Sequence, residues 1–149
     1  MPEHKYAHFK ELCQAGGLKV TPQRFTIWKT LAETDVHPTA DHLFAMVNKK
    51  LPGLGRDTVF RTLNIFTEYG LASKLTMPGG ATHYDGDTEV HHHFLCGRCG
   101  VIQDLLWPAF EALPWPEELF LMAKPRGASV LFNGLCRICD PTGWSPGGD

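Results

Sequence analysis

The 149-residue sequence lacks any apolar stretch that approaches the ~20 residues needed to span a bilayer. Residues 1–14 also lack an apolar run of secretory length. These absences argue against membrane insertion and export and predict a cytoplasmic protein. Repeats and low-complexity tracts are missing too. With 43% hydrophobic and 20% charged residues, the chain is expected to fold as an ordinary globular protein with one or two modest cores.

Net charge is small, since 14 Lys and Arg stand against 16 Asp and Glu. By itself this balance argues against a nucleic-acid partner, but the two parts of the chain differ. Residues 1–80 carry 10 basic and 7 acidic side chains (+3), whereas residues 81–149 carry 4 and 9 (−5). A mildly basic first part suits contact with phosphate, and an acidic second part suits the binding of cations.

Helical spacing of apolar residues predicts four helices in the first part of the chain. They are expected over residues 4–15, 22–35 and 40–51, and from Asp57 or Thr58 to residue 69. Thr21 and Thr39 are the predicted N-caps of the second and third helices, and Pro22 occupies a first helical position. The inward face of the fourth helix is predicted to comprise Val59, Leu63 and Phe66.

Two short extended segments, residues 71–77 and 81–85, flank Pro78-Gly79-Gly80 and predict a β-hairpin. Helices followed by a hairpin predict a winged helix, a DNA-binding fold. On periodicity alone, the helical cap domain of an enzyme is the alternative.

The second part of the chain predicts strands over residues 90–95, 101–105 and 129–132. A helix over residues 109–122 is expected to be broken by Pro114 and Pro116. The predicted fold class is therefore α+β. It comprises a winged-helix domain (1–84), a small α/β dimerisation and metal-binding domain (85–140) and a flexible tail (141–149).

Two Cys-x-x-Cys pairs are the strongest signal in the sequence: Cys96 with Cys99, and Cys136 with Cys139. Two such pairs complete the closed tetrahedral shell that structural Zn²⁺ prefers, and a closed shell leaves no position for a substrate. A redox-active pair or two disulfides is the alternative. The fifth cysteine, Cys13, is expected to be buried in the first helix.

A second group of candidate ligands comprises Asp85, His91, His93 and Asp104. On a strand, His91 and His93 share a face while His92 points away, and Asp104 lies on the partner strand. Nitrogen and oxygen donors suit divalent iron, manganese or zinc. His37, from the first domain, would complete a five-ligand site.

Two alternatives apply to this group. His37 could be a capping or packing residue beside a solvated strand. The site could also hold the open zinc of a hydrolase, although no His-Glu-x-x-His or His-x-Glu signature is present.

The fourth helix is the candidate DNA reader. Phe60, Arg61 and Asn64 project away from its inward face and would meet thymine methyl groups, guanine or phosphate, and adenine, respectively. Further candidate DNA contacts near helix starts are Lys19, Arg24, Arg56 and Thr58. The alternative for Arg61 is an ion pair with Asp57 one turn earlier.

Taken in order, five motifs resemble the ferric uptake regulator family. They are Thr21-Pro22-Gln23-Arg24, His37-Pro38-Thr39-Ala40, Asp57 to Leu63, His91 to Gly100 and Gly134 to Cys139. The resemblance implies a homodimeric repressor, not an enzyme, that binds an inverted-repeat DNA operator when its regulatory metal is loaded. It also implies that His37, Asp85, His91, His93 and Asp104 hold Fe²⁺ or Mn²⁺, and that the paired cysteines hold structural Zn²⁺.

Asp104 stands where iron-uptake members of that family commonly have glutamate, and aspartate there resembles the peroxide-sensing branch. That resemblance implies that His37 and His91 are oxidised when bound ferrous iron meets hydrogen peroxide, which releases the DNA. An iron-responsive uptake repressor is the alternative. The chain departs from the family pattern at Phe60, where tyrosine is usual, and at Ala128, where many members have a further histidine.

Overall fold

The computed structural model describes residues 2–77 and 79–143 and divides the chain into two units, Met1–Thr88 and Glu89–Asp149. The division follows Thr88 rather than the predicted residue 84, so Asp85 belongs to the first unit. Within the described ranges, no helix combines the length and apolar character that a bilayer crossing requires.

Four helices open the first unit: α1 (Pro2–Gly16), α2 (Pro22–Glu33), α3 (Ala40–Lys50) and α4 (Arg56–Glu68). Both predicted caps form, because Thr21 Oγ1 accepts from the Arg24 N–H group at 3.2 Å and Thr39 Oγ1 accepts from that of His42 at 3.2 Å. Helix α4 begins at Arg56, just before the predicted start at Asp57 or Thr58, with Gly55 as its N-cap.

The core of the first unit lies between these helices. The predicted inward face of α4 is confirmed, since Val59, Leu63 and Phe66 are fully buried. They pack in one apolar cluster with Phe9 of α1 and Ile27 of α2. Burial of these side chains fixes the orientation of α4 and leaves its opposite face in solvent.

A hairpin of β1 (Ser73–Thr76) and β2 (Thr82–Asp85) follows the helices. Its strands are antiparallel and pair Ser73 with Asp85. Gly79 and Gly80 both adopt positive φ, as a tight turn demands of residues without a Cβ atom. Pro78, also predicted in this turn, lies outside the described residues. The element order therefore matches the predicted helices and hairpin.

The second unit is built on a three-stranded sheet with the order β4-β3-β5. Its strands are β3 (His92–Cys96), β4 (Ile102–Leu105) and β5 (Leu131–Gly134). The central strand β3 is antiparallel to β4 and parallel to β5. Strand β5 starts two residues later than the predicted Ser129. The α+β fold class is confirmed.

Two short helices, α5 (Pro108–Glu111) and α6 (Glu117–Met122), connect β4 to β5. Pro114 and Pro116 lie between them, so the predicted helix is split where proline removes its N–H donors. Residues 144–149 of the predicted 141–149 tail lie outside the described residues.

Candidate functional site

Sheet topology brings the two cysteine pairs of the second unit together. Cys96 is the last residue of β3 and pairs across the sheet with Gly134, the last residue of β5. Because the two strands are parallel, the chain leaves both at the same edge, and the second pair follows β5 directly. The Sγ atoms of Cys96, Cys99, Cys136 and Cys139 all lie within 4.8 Å of one another.

The sulfur spacing fits a tetrahedral metal site. Cys99 Sγ and Cys136 Sγ are 3.7 Å apart. Two thiolates bound tetrahedrally at ~2.3 Å from zinc would be about 3.8 Å apart, whereas a disulfide needs ~2.0 Å. All four cysteines are free thiols in this structure. The geometry therefore favours a four-cysteine metal site over the disulfide alternative.

The electrostatics of the sulfur cluster also call for a cation. Backbone N–H groups of Cys99 and Cys136 point at the Cys96 thiol and lower its pKa to about 5. Desolvation and the neighbouring sulfurs of Cys136 and Cys99 raise the pKa of Cys139 to about 12. One thiolate thus forms readily while another is suppressed, and a divalent cation would let all four deprotonate together.

The second unit also carries the predicted pair of histidines beside a carboxylate. Register pairs His93 with Asp104 across β3 and β4. His91 Nε2 and His93 Nε2 lie 3.6 and 3.5 Å from the same Asp104 oxygen, and the two imidazole centroids are 4.6 Å apart. The predicted shared face is therefore formed.

A hydrogen bond determines the orientation and tautomer of one of these rings. His91 Nδ1 lies 2.7 Å from the carbonyl oxygen of Glu89, which can only accept, so Nδ1 carries the proton. The lone pair of the neutral ring is then on Nε2, which faces Asp104. Ligand atoms at ~2.1 Å from one ion would be roughly 3.0–3.4 Å apart. The distances of 3.6 and 3.5 Å from the two Nε2 atoms to the Asp104 oxygen are close to this spacing. Two imidazoles and a carboxylate fit a divalent cation of intermediate softness.

His92 points to the other face, as predicted. Its side chain is fully buried, and its Nδ1 accepts a hydrogen bond of 3.1 Å from the Val130 N–H group. Its ring packs against Phe110 with centroids 5.0 Å apart. His92 therefore joins β3 to the segment that leads into β5.

In the first unit, His37 Nε2 lies 3.2 Å from Asp85 Oδ2. Strand β2 holds this pair, because the Tyr84 N–H group donates to the Pro38 carbonyl at 2.9 Å and His83 Nδ1 donates to the His37 carbonyl at 2.6 Å. His83 was missed in the sequence reasoning. Its signal was its position two residues before Asp85, on the same side of the strand.

Asp85 is held from its other side as well. Its Oδ1 atom accepts a hydrogen bond of 2.8 Å from the Asp87 N–H group. The next residue, Gly86, lies directly against α2, where an added Cβ atom would come within 2.9 Å of the backbone of Ala32. The close approach requires glycine and sets where the carboxylate is presented.

The predicted DNA-contact residues lie on exposed parts of the first unit. On α4, Thr58, Arg61 and Asn64 are exposed, and Phe60 is half-buried. None of the ion pairs found between described residues joins Arg61 to Asp57, so the alternative for Arg61 is not formed. Several of the candidate DNA-contact residues have protein partners. Arg24 donates to the Lys19 carbonyl at 2.6 Å, Lys74 donates to Asn64 at 3.2 Å, and Arg56 pairs with Asp41.

Comparisons with known proteins agree with this arrangement. The ferric uptake regulator family matches residues 15–114. The "Peroxide operon regulator" of Bacillus subtilis is 32% identical over 139 residues, which cover 93% of this chain and 96% of that protein. The Campylobacter jejuni peroxide stress regulator structure is 27% identical with a TM-score of 0.67, covering 90% of this chain and 98% of that one.

A ferric uptake regulator from Francisella tularensis, whose structure was solved with iron, is 29% identical with a TM-score of 0.66. It covers 83% of this chain and 95% of that one. The family match spans about two thirds of this sequence. The similarity to the Bacillus subtilis relative extends over nearly the whole length of this chain. The chain belongs to the ferric uptake regulator family.

Proposed function

We propose that this protein is a metal-dependent, DNA-binding transcriptional repressor. Membership of a family of regulators supports this role, and so does the exposed polar face of α4. In the proposal, α4 enters the major groove with Thr58, Arg61 and Asn64 toward the base edges, while Lys19 and Arg24 contact phosphates.

We further propose that the second unit forms a homodimer. Four of its apolar side chains are largely exposed in the single chain: Leu106 (73%), Leu121 (89%), Met122 (76%) and Ile138 (92%). Burying such side chains against a second copy would be favourable, which supports the proposed dimer. Two copies related by a two-fold axis would present two copies of α4, which suits an inverted-repeat operator. Such a repressor would act in the cytoplasm, where its zinc thiolates remain reduced.

The proposed metals follow from the donor atoms. Four thiolates suit structural Zn²⁺, and imidazole with carboxylate suits regulatory Fe²⁺ or Mn²⁺. The observation that carries the proposal is the pair of imidazole nitrogens beside one Asp104 oxygen. In the proposal, His37 and Asp85 supply the remaining ligands, so that metal binding stabilises the DNA-binding arrangement.

Within this role we propose that the signal is hydrogen peroxide. The Bacillus subtilis and Campylobacter jejuni relatives are both named for peroxide regulation, which supports this branch. Ferrous iron held at the regulatory site would activate hydrogen peroxide toward the imidazoles, so that each peroxide would give one oxygen atom to one ring and leave as water. His37 and His91 would then be oxidised, and the loss of two intact imidazole ligands would weaken metal binding and release the DNA.

An iron-responsive repressor is the second candidate, favoured by the likeness to the iron-bound Francisella tularensis regulator. One experiment separates the two. Zinc-loaded protein receives Fe²⁺ or Mn²⁺, is bound to an operator selected from random duplexes, and is treated with a slight excess of peroxide. Peptides that contain His37 and His91 are then weighed.

Peroxide sensing predicts that binding is lost with Fe²⁺ but kept with Mn²⁺, and that these two peptides gain oxygen. Iron sensing predicts iron-dependent binding without added oxygen. If neither metal produced sequence-selective DNA binding, the proposed repressor function would be wrong.

A further inference from the structure

The start of α4 carries an arginine whose side chain is fixed on two sides. Arg56 Nε and Nη2 lie 2.8 and 2.6 Å from Oδ1 of Asp41, in the first turn of α3. The guanidinium carbon lies 4.4 Å from the ring centroid of Phe60, one turn further along α4. The carboxylate therefore holds one edge of the guanidinium, and the aromatic ring covers one face.

These contacts restrict Arg56 more than they stabilise the fold. The side chains of Arg56 and Asp41 are 55% and 68% exposed, and an ion pair so open to water contributes little to folding. A guanidinium has five N–H donors, of which Asp41 takes two. The remaining donors include the two-nitrogen edge formed by Nη1 and Nη2, now held in one orientation.

The charge around Arg56 favours a base over a phosphate as its partner. Asp41 offsets the positive charge of Arg56, and its carboxylate would repel a phosphate placed beside it. A neutral pair of acceptors carries no such penalty. Guanine presents N7 and O6 in the major groove, at the spacing that an arginine edge contacts with two hydrogen bonds. Residues at the start of a recognition helix are those that reach base edges.

We propose that Arg56 reads a guanine in each half of the operator, and that Asp41 and Phe60 are positioning residues for it. The proposal rests on the proposed function, because it assumes that α4 lies in the major groove. It adds Asp41, which lies on a different helix, to the residues that determine sequence preference. Phe60 acts in it through its ring, so the hydroxyl of a tyrosine is not required.

The test starts from operators selected by the Mn²⁺-loaded protein from random duplexes, and repeats the selection with Arg56→Lys and Asp41→Asn. Lysine keeps the charge but lacks the fork that makes two hydrogen bonds. We expect Arg56→Lys to lose the preference for guanine at one position in each half-site, with affinity for the preferred duplex falling roughly 5- to 150-fold. Asp41→Asn should reduce the preference for guanine at the same position by a smaller factor. Asp35→Asn, an exposed aspartate after α2, is the matched control and should select the original operator.

A chemical probe makes the same point without a mutation. Replacing that guanine by 7-deazaguanine removes N7. The change should weaken operator binding by the unmodified protein but leave operator binding by the Arg56→Lys variant almost unchanged. The second measurement compares the salt dependence of DNA binding by the Arg56→Ala variant with that of the unmodified protein. Loss of a phosphate contact would lower the slope of log K against log salt by about 0.9, whereas loss of a base contact would leave the slope unchanged.

Two results would overturn the inference while the repressor function stands. One is an Arg56→Lys variant that selects the same operator as strongly as the unmodified protein. The other is an Arg56→Ala variant that weakens every duplex equally and has a reduced salt slope, which would make Arg56 a phosphate contact. Absence of any selected sequence with the unmodified, metal-loaded protein would instead defeat both proposals.

Discussion

His83 donates a hydrogen bond of 2.6 Å from Nδ1 to the carbonyl oxygen of His37, and so ties strand β2 to the segment that presents the His37 ring. The two residues are 46 positions apart in the sequence. His83 also forms a β-bridge with Thr39, the N-cap of α3. The position of His37 therefore depends on His83, which is not among the candidate metal ligands.

Replacing His83 by alanine should weaken regulatory-metal binding. The expected loss of Mn²⁺ affinity is about 10- to 100-fold, as is usual when a residue that orients a metal ligand is removed. Titration of zinc-loaded protein with Mn²⁺, followed by the electron paramagnetic resonance signal of the free ion, measures it. His8→Ala is a histidine control elsewhere in the first unit, on α1. Equal Mn²⁺ affinity in the two variants would show that the hydrogen bond has no positioning role.

A methyl group at residue 86 should disturb the first unit. The Cβ atom of Gly86→Ala would lie 2.9 Å from both the N and Cα atoms of Ala32, and backbone atoms of a packed helix cannot move aside easily. We expect a loss of about 1–3 kcal/mol in the free energy of unfolding and weaker Mn²⁺ binding, because Asp85 is the preceding residue. Urea denaturation and the Mn²⁺ titration measure the two effects.

Gly127→Ala is the matched control for this substitution. Its added Cβ atom would meet no atom within 4 Å, and Gly127 does not have a positive φ. It should therefore leave both measurements unchanged. A Gly86→Ala protein as stable as this control would mean that α2 and residue 86 are not in close contact.

Local patterns predicted much of this fold because their physical causes are local. Thr21 and Thr39 cap the next helix through a donor three residues away. Proline in a helix interior removes an N–H donor, so Pro114 and Pro116 split the helix predicted over residues 109–122. The placement of His92 and His93 on opposite faces of β3 likewise follows from strand geometry. Such features need no knowledge of the rest of the chain.

Contacts between distant parts of the chain could not be predicted in this way. The parallel pairing of β3 with β5, the approach of Gly86 to Ala32, and the pairing of Arg56 with Asp41 all depend on how elements pack. The periodicity of apolar residues along the sequence does not predict these contacts. The convergence of the four paired cysteines could be predicted because two Cys-x-x-Cys pairs are a distinctive pattern, whereas His83 became apparent only once β2 was seen beside His37.

Removing one cysteine of the second pair should abolish zinc binding. Four thiolates close a tetrahedral shell, so Cys136→Ser leaves three and frees the segment after β5 from β3. We expect elemental analysis to give about one zinc per unmodified chain and almost none for Cys136→Ser. Size-exclusion chromatography should then detect monomers, since the proposed dimer unit would lose its metal crosslink. A zinc-free protein that stays folded and dimeric would contradict this role.

Cys13 should behave differently from the other four cysteines. It is fully buried in α1, and desolvation raises the pKa of its thiol, so little reactive thiolate is available near neutral pH. We expect iodoacetamide to leave Cys13 unmodified in the folded, zinc-loaded protein at pH 7.5, and to label it fully in guanidinium chloride. Mass spectrometry of the peptide that contains residue 13 measures the difference.

Cys99, which is exposed, is the internal control: it should become reactive once a chelator has removed the zinc, under conditions that leave the first unit folded. Labelling of Cys13 in the folded protein at the rate seen for Cys99 would mean that α1 opens readily and that its thiol is accessible to oxidants.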